Sequence, residues 1–497
     1  MVSVMSNHSW LICQKVDVQA VKSFLNARNQ LYKGDKVRPW NQGKFLLFRV
    51  QDITHINPDL MAIPCTANDD EETLLLAFDN IKIDRSVLKI VQHDDLALPT
   101  AKNITLSDII ETWYKSLSFA SRTANIQYLL TNAPKRWSTY HPMILLPAGS
   151  FQDPNWMSLL TSLSTAEKQD LWTRILVLIS KLEGRGSVTH LAINSGIPLN
   201  ENETSSDENV FRSPSGLIML HGDFGPTLSP THKPTEADFE EAFWVSSKQN
   251  GIWQTWAPRY TMFSRGNIKE KARILQFHDS TSSSTTTRKL NMNDRTAAVD
   301  LYAGIGYFVF SYATSGFGRI WCWEINPWSV EGLRRGALKN KWSIQVVNGA
   351  ALLDSFDLKE DMLPDVRIIV FEEGNENAPK RMGWHIPQVN TSQVIDSISV
   401  TGIKHVNCGF LPSSEPSWRT AISAVKVEEK AWLHLHENVA YSDIETRKSS
   451  VQTLLRSWTP KEKHVVVEHV ELVKSFAPGI WHCVFDVYIS IMTNNHE

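Results

Sequence analysis

One stretch of the sequence restricts the fold more than any other, because it joins an apolar strand, a glycine turn and a helix. Residues 297–308 (AAVDLYAGIGYF) begin with an apolar run that ends in Asp300 and continue with Gly304 and Gly306. Glycine adopts backbone conformations closed to residues with a Cβ and lets a ligand approach the chain closely. This stretch therefore predicts an α/β fold with a ligand on the turn after the first strand.

The same stretch excludes one class of ligand and favours another. A dinucleotide fold would place a third glycine three positions beyond Gly306, where this chain has Val309. Asp300 has the wrong charge for a pyrophosphate but suits a sulfonium cation and an amino group. The next strand-like run ends in Glu324, 24 positions after Asp300, where a carboxylate accepts both hydroxyls of a ribose. S-adenosylmethionine therefore fits this turn better than NAD.

Around and beyond the turn, the sequence resembles the tRNA wybutosine-synthesising protein 2 family, in particular its fungal members. It is less similar to the relatives that methylate guanine N1 in tRNA. The likeness lies in six segments: residues 262–271 (MFSRGNIKEK), 300–308 (DLYAGIGYF), 322–340 (CWEINPWSVEGLRRGALKN), 407–414 (NCGFLPSS), 433–439 (LHLHENV) and 473–478 (VKSFAP).

The resemblance implies which residues bind S-adenosylmethionine. In that family the serine and the lysine of the Phe-Ser-x-Gly-Asn-x-x-Glu-Lys segment contact the cofactor, so Ser264 and Lys271 take these roles. A lysine ammonium is a suitable partner for the amino acid carboxylate. Without the motif, Lys271 would be interpreted as an exposed helix lysine. The implied cofactor-binding residues are Ser264, Lys271, Asp300, Gly304, Gly306, Glu324, Gly374, Asn375 and Asn407.

The chain departs from the family in residues 371–377 (FEEGNEN), where Gly374 stands in place of an expected aspartate. The resemblance implies that Asn375 meets the adenine. The acidic contact to the adenine amino group would have to come from Glu373 or from a shift of the loop.

The predicted fold class is α/β, with a Rossmann-like class I S-adenosylmethionine-dependent methyltransferase fold at the C-terminal end, preceded by smaller α+β domains. A length of 497 residues favours about three domains. We expect an N-terminal α+β domain at 1–105, a middle α+β domain at 106–290 and the catalytic domain at 291–497. The segments 200–210 and 279–289 are too polar to bury and are predicted insertions in the middle domain.

Periodicity and turn residues predict individual elements. Val18, Val21 and Leu25 recur at helical spacing, and residues 171–182 predict an amphipathic helix closed by Gly184. Asn250-Gly251 predicts a hairpin turn. Strands are predicted at residues 44–50, 142–147, 215–222, 239–244 and 252–256.

Composition restricts partners and location. A net charge of -3 gives no overall attraction for nucleic acid, so a tRNA must meet local basic patches such as 259–265 or 334–341. The five cysteines form no Cys-x-x-Cys pair, so no metal is expected. No apolar run is long enough for a signal peptide or a membrane span, which predicts a cytoplasmic protein without a membrane partner. We expect a monomer.

The resemblance implies transfer of the 3-amino-3-carboxypropyl group from S-adenosylmethionine to 4-demethylwyosine, beside the anticodon of phenylalanine tRNA. Two alternatives remain: a tRNA guanine-N1 methyltransferase, and a non-catalytic tRNA-binding scaffold with a decayed cofactor site. Tyr307 and Trp418 are candidates for stacking on the base. His434 and His436 share one face of a strand and are expected to make structural hydrogen bonds. No catalytic residue is identified.

Overall fold

In the computed structural model the chain divides into two compact units, Met1–Thr105 and Leu106–Glu497. The proposed domain boundary near residue 290 and the polar segments 200–210 and 279–289 lie outside the described residues. The described residues are 9–14, 17–27, 38–39, 60–65, 89–92, 104–118, 124–184, 186–195, 214, 216–229, 232–277, 296–349, 366–384, 402–425 and 430–491.

The first unit contains a helix and a four-stranded antiparallel sheet. Helix α1 (Val18–Ala27) buries Val21 and Leu25, as the helical spacing predicts. The predicted strand at 44–50 lies outside the described residues. The sheet order is β2-β3-β1-β4, with β1 at Ser9–Gln14, β2 at Arg38–Pro39, β3 at Leu60–Cys65 and β4 at Lys89–Gln92.

The second unit begins with four helices and a mixed sheet of order β5-β6-β7-β8. The predicted helix and two of the predicted strands are confirmed here. A capping box between Ser164 and Glu167 starts α5, and Gly184 ends it in the left-handed conformation. The elements are α2 (Leu106–Ser116), α3 (Ile126–Thr131), β5 (Ser138–Tyr140), β6 (Met143–Leu146), α4 (Pro154–Ser162), α5 (Thr165–Glu183), β7 (His190–Ile193) and β8 (Ile218–His221).

A short helix and a hairpin follow. The hairpin of β9 (Val245–Gln249) and β10 (Ile252–Trp256) turns at Asn250-Gly251, as predicted. The strand predicted at 239–244 is wrong, because residues Glu236–Glu241 form helix α6. Thr235 and Asp238 make a capping box that fixes the start of this helix, a local interaction that the short apolar run does not reveal.

The C-terminal half is built on an eight-stranded sheet of order β13-β14-β12-β11-β15-β16-β18-β17. The first six strands in this order are parallel, and β18 and β17 pair antiparallel at one edge. The strands are β11 (Ala297–Asp300), β12 (Arg319–Trp323), β13 (Ile344–Val347), β14 (Ile368–Phe371), β15 (Ile403–Cys408), β16 (Ala431–Ala440), β17 (Lys463–Ala477) and β18 (Ile480–Ile491).

Helices cover both faces of this sheet, which confirms the predicted α/β fold. All four residues of β11 are buried, as expected for a central strand covered on both sides. The chain leaves β11 towards β12 and later returns on its other side at β15, so the order reverses at β11. Ligand sites form at such a switch point. The helices are α7 (Ile268–Leu275), α8 (Val309–Ser315), α9 (Pro327–Lys339), α10 (Ala378–Met382), α11 (Trp418–Ser423) and α12 (Ile444–Trp458).

Within the described ranges, no helix is both long enough and apolar enough to cross a membrane.

Candidate active site

The glycine turn lies between β11 and α8, at the switch point of the sheet. Gly304 and Gly306 have φ values of +53° and +89°, in the region that favours glycine. A Cβ on Gly306 would come within 2.7 Å of the ring of Phe310. The turn therefore needs glycine at 306 for its backbone conformation and for space.

Glu324 fixes this turn to the end of the neighbouring strand. Its carboxylate accepts hydrogen bonds from the backbone N–H groups of Gly304 and Asn326, both at 2.8 Å. Burial raises the pKa of Glu324, an effect that these backbone hydrogen bonds oppose. The structure thus brings together the glycine and the carboxylate that the sequence placed 20 positions apart.

Asp300 and Asn407 meet at the carboxyl ends of adjacent strands β11 and β15. Asn407 Nδ2 donates to Asp300 Oδ1 at 3.1 Å, and the Tyr302 N–H donates to the same oxygen at 3.2 Å. Burial raises the pKa of Asp300 to about 7. Among the described residues, Asp300 Oδ2 and Asn407 Oδ1 are buried without a hydrogen-bond partner. A polar ligand on the turn would satisfy such atoms, so these residues fit S-adenosylmethionine.

The loop after β14 brings Gly374 and Asn375 to the same edge. Asn375 Nδ2 donates to the Leu301 carbonyl at 2.9 Å. Glu373 forms a two-point ion pair with Arg381, at 2.9 Å for each contact. A Cβ on Gly374 would overlap the carboxylate of Glu376. The acidic group beside Gly374 is therefore Glu376, which the sequence reasoning did not single out, although it lies only two positions along the chain.

A hydrogen bond to Tyr307, the residue that follows Gly306, links Ser264 to the glycine turn. The Ser264 N–H donates to Tyr307 Oη at 3.1 Å, and that hydroxyl donates to the Met262 carbonyl. These bonds hold residues 262–264 against the glycine turn.

Lys271 is buried, at 4% exposure, so it is not an exposed helix lysine. Its Nζ donates to Gln249 Oε1 at 2.5 Å and to Gln254 Oε1 at 2.8 Å, both on the β9–β10 hairpin. Burial lowers its pKa to about 8. Two of its three donors are used by the hairpin, which leaves one for a ligand.

Two groups of buried histidines lie on strands β15, β16 and β18. His434 Nδ1 lies 2.7 Å from Asp486 Oδ1, and His434 Nε2 lies 2.8 Å from His405 Nδ1. His436 Nδ1 lies 2.9 Å from His482 Nε2. The expected structural hydrogen bonding of His434 and His436 is confirmed.

Trp418 is fully buried, and its Nε1 donates to Ser414 Oγ at 2.9 Å. A stacking role for Trp418 against a tRNA base is therefore wrong, because its ring faces are covered by the core.

A cavity of about 550 Å³ has Ser264 among its lining residues. Its walls combine aromatic side chains with two exposed arginines, Arg136 and Arg265, and none of the described residues that line it is acidic. The Arg265 guanidinium lies 5.2 Å from the ring centroid of Tyr140 and donates to Ser138 Oγ at 2.7 Å. The aromatic lining residues are Trp137, Tyr140, Trp256 and Phe263.

The two basic stretches noted in the sequence differ in structure. Arg334 and Arg335 both pair with the single carboxylate of Glu331 at 2.6 Å, and Arg335 also pairs with Glu240 of helix α6 at 2.8 Å, so both arginines are held in ion pairs within the protein. Arg265, in the first stretch, lines the cavity instead. In the part of the chain that the structure describes, no group of three or more His, Cys, Asp or Glu side chains could hold a metal ion.

Three features define a Rossmann-like transferase of the class I S-adenosylmethionine-dependent type. They are the parallel sheet whose strand order reverses at β11, the glycine turn after β11, and the carboxylate of Glu324 that anchors this turn. The tRNA wybutosine-synthesizing protein 2 of Schizosaccharomyces pombe is 40% identical to this chain over 358 residues, covering 71% of this chain and 72% of that protein. The chain belongs to the tRNA wybutosine-synthesizing protein 2 family.

Other proteins of this name are also similar to the chain. The protein of the same name from Saccharomyces cerevisiae is 29% identical over 425 residues, covering 78% of this chain and 81% of that protein. Among solved structures, P. horikoshii TYW2 in complex with MeSAdo overlaps 78% of this chain and 99% of its own, at 16% identity and a TM-score of 0.44. No protein-family profile matches the chain.

Proposed function

We propose that this protein transfers the 3-amino-3-carboxypropyl group from S-adenosylmethionine to 4-demethylwyosine in phenylalanine tRNA. The observation that carries the proposal is the 40% identity to a tRNA wybutosine-synthesizing protein 2 over most of both chains. The anchored turn at Gly304 and Glu324 supports it, because the residues needed to hold the donor stand together. A scaffold with a decayed cofactor site is disfavoured by this intact arrangement.

Bound S-adenosylmethionine supplies a sulfonium, which makes each of its three attached carbons electrophilic. In the proposed reaction a ring carbon of the base forms a bond to the γ-carbon of the methionine moiety, and the bond from that carbon to sulfur breaks. The electron pair stays on sulfur, methylthioadenosine leaves, and the ring carbon loses its proton to solvent. Because the electrophile is already reactive, the protein acts mainly by positioning.

Three residues of the site have positioning roles in this proposal. Glu324 accepts the ribose hydroxyls while it holds the turn, and Asn375 lies at the adenine side. Asp300 in its charged form is a partner for the positive end of the donor. Its pKa near 7 makes this partner sensitive to pH within the physiological range.

The cavity that Ser264 helps to line is the proposed entry for the acceptor base. Aromatic walls suit a planar tricyclic base, and Arg136 and Arg265 suit the flanking phosphates of an RNA. The whole chain has a small negative net charge, so an RNA must be bound by a local group of basic residues such as these two arginines. We further propose that the protein contacts the anticodon arm, acts as a monomer and works in the cytoplasm.

The decisive experiment incubates the protein with S-adenosylmethionine and phenylalanine tRNA that carries 4-demethylwyosine, and identifies the small coproduct by chromatography. Methylthioadenosine is the expected product. Adenosylhomocysteine would instead mean methyl transfer. Folded protein that gives neither product and does not bind S-adenosylmethionine would be a scaffold.

A further inference from the structure

A second lysine, Lys474, lies beside Ser264 at the same corner of the site. It belongs to the edge strand β17, 210 positions further along the chain, and it is half-buried. Its Nζ donates to Ser264 Oγ at 3.4 Å, a long hydrogen bond. The side chain of an edge strand thus reaches the segment that is pinned to the glycine turn through Tyr307.

The sequence makes room for this lysine at Gly266. A Cβ at position 266 would lie 2.7 Å from Lys474 Cδ and 2.9 Å from Lys474 Nζ. Any larger residue would therefore push the lysine away from Ser264. The φ of Gly266 is not in the left-handed region, so what glycine provides at this position is space for the side chain of Lys474.

The charge of Lys474 is not balanced within the described structure. Burial alone lowers its pKa, and no carboxylate among the described residues forms an ion pair with it. Its neighbour across the strand pair is His482, another potential cation. Burial and the charge of Lys474 lower the pKa of His482 to about 4. A half-buried cation without an anion is costly, so this corner is suited to an anionic ligand.

Lys271 and Lys474 differ in how many of their hydrogen-bond donors are already used. Lys271 already donates two hydrogen bonds to glutamine side chains, whereas Lys474 has only the long bond to Ser264 among its described contacts. Lys474 therefore has more donors left for a ligand.

We propose that Lys474 Nζ and Ser264 Oγ form the subsite for the α-carboxylate of the donor. This inference rests on the proposed function and deepens it. The carboxylate belongs to the group that is transferred, so Lys474 holds that group before and after the bond to sulfur breaks. Fixing this end restricts the methionine chain to poses in which the γ-carbon faces the acceptor.

The test compares two ligands that differ in the amino acid portion. S-adenosylmethionine carries the carboxylate and methylthioadenosine does not. Calorimetric titration of the full chain with each ligand gives the dissociation constants for the unmodified protein and for Lys474→Met. We expect the constant for S-adenosylmethionine to rise about ten- to a hundredfold, because a hydrogen-bonded charge pair is lost. The constant for methylthioadenosine should stay within about twofold, since that ligand has no carboxylate to lose.

Two further variants sharpen the result. Lys474→Arg keeps the charge and should recover part of the lost affinity for S-adenosylmethionine. Lys461→Met removes an exposed lysine that precedes the same strand and should change neither constant. Equal weakening of both ligands by Lys474→Met would mean damage to the fold and would overturn the proposal.

The other source of an anion is an RNA phosphate. Affinity of Lys474→Met for an anticodon stem-loop RNA, measured by fluorescence anisotropy, should equal that of the unmodified protein. A loss of RNA affinity with unchanged S-adenosylmethionine binding would overturn the carboxylate subsite in favour of a phosphate contact. Failure of the unmodified, folded protein to bind S-adenosylmethionine would instead overturn the proposed function.

Discussion

At the scale of single residues, Glu324 anchors the glycine turn, and in the proposed function the same carboxylate also accepts the ribose hydroxyls of the donor. We expect Glu324→Ala to weaken S-adenosylmethionine binding. Loss of charge-assisted hydrogen bonds costs about 1.5–3 kcal/mol, or roughly ten- to a hundredfold in affinity. Isothermal titration calorimetry measures this effect. Glu445→Ala, an exposed acid on helix α12, is the matched control, and an unchanged constant for Glu324→Ala would remove Glu324 from the site.

Glu376 is the second acidic residue whose role can be tested singly. Its carboxylate fills the space beside Gly374, so we expect it to replace the aspartate that the resemblance led us to expect at position 374. Because the residue is exposed, Glu376→Ala should weaken S-adenosylmethionine binding only about three- to tenfold. The double variant Gly374→Asp with Glu376→Ala should regain affinity. If the double variant binds no better than Glu376→Ala, the two positions do not exchange roles.

At the scale of elements, the glycine turn depends on one close contact. Gly306→Ala would force a Cβ against the ring of Phe310 at a positive φ, and we expect a loss of about 1–3 kcal/mol in the free energy of unfolding. Gly251→Ala is the control, because Gly251 also has a positive φ but has nothing within 4 Å of a Cβ. Urea denaturation compares the two. Equal losses would show that backbone conformation alone, and not the contact, demands glycine at 306.

The buried histidines on strands β15, β16 and β18 should make stability depend on pH. Burial lowers the pKa of His405 and His436 well below the usual value and lowers that of His482 to about 4. Below about pH 6.5 these three histidines bind more protons in the unfolded chain than in the folded one, so their contribution to stability falls as the pH drops. Asp300, whose pKa burial raises to about 7, contributes in the opposite direction. His482 alone accounts for about 2 kcal/mol at pH 5.

Thermal melting at pH 7.5 and at pH 5 checks this sign. Between pH 7.5 and pH 5, His482→Phe should lose less melting temperature than the unmodified protein, because one group that opposes folding at low pH has been removed. The same change with pH in both proteins would contradict the account of His482 as a buried, neutral group.

At the scale of the whole molecule, the two compact units divide the protein between residues 105 and 106. All nine residues assigned to the cofactor site lie in the second unit. A chain that begins at Ile104 should therefore fold and bind S-adenosylmethionine with a dissociation constant within about twofold of the full chain. Circular dichroism and calorimetric titration measure both properties. A folded shorter chain that no longer binds would show that the first unit contributes to the site.

The sequence by itself determined the features that depend on a few neighbouring residues. The glycine turn, the carboxylate that ends the next strand, the Asn250-Gly251 hairpin and residues 171–182 of helix α5 with the glycine that ends it were all predicted, because local backbone conformation and periodicity are encoded within a short stretch. The capping box that starts α5 at Ser164 was not predicted. The Rossmann-like α/β fold was likewise predicted, from the turn and from the resemblance that surrounds it.

Only the tertiary structure decided which distant side chains meet. Lys474 reaches Ser264 because β17 lies at the edge of a sheet whose order differs from the order of the chain. Glu373 is paired with Arg381, which leaves Glu376 beside Gly374. Charge and hydrogen-bond partners of buried groups depend on strand order and on the shape of the space between elements, and neither can be read from local sequence pattern.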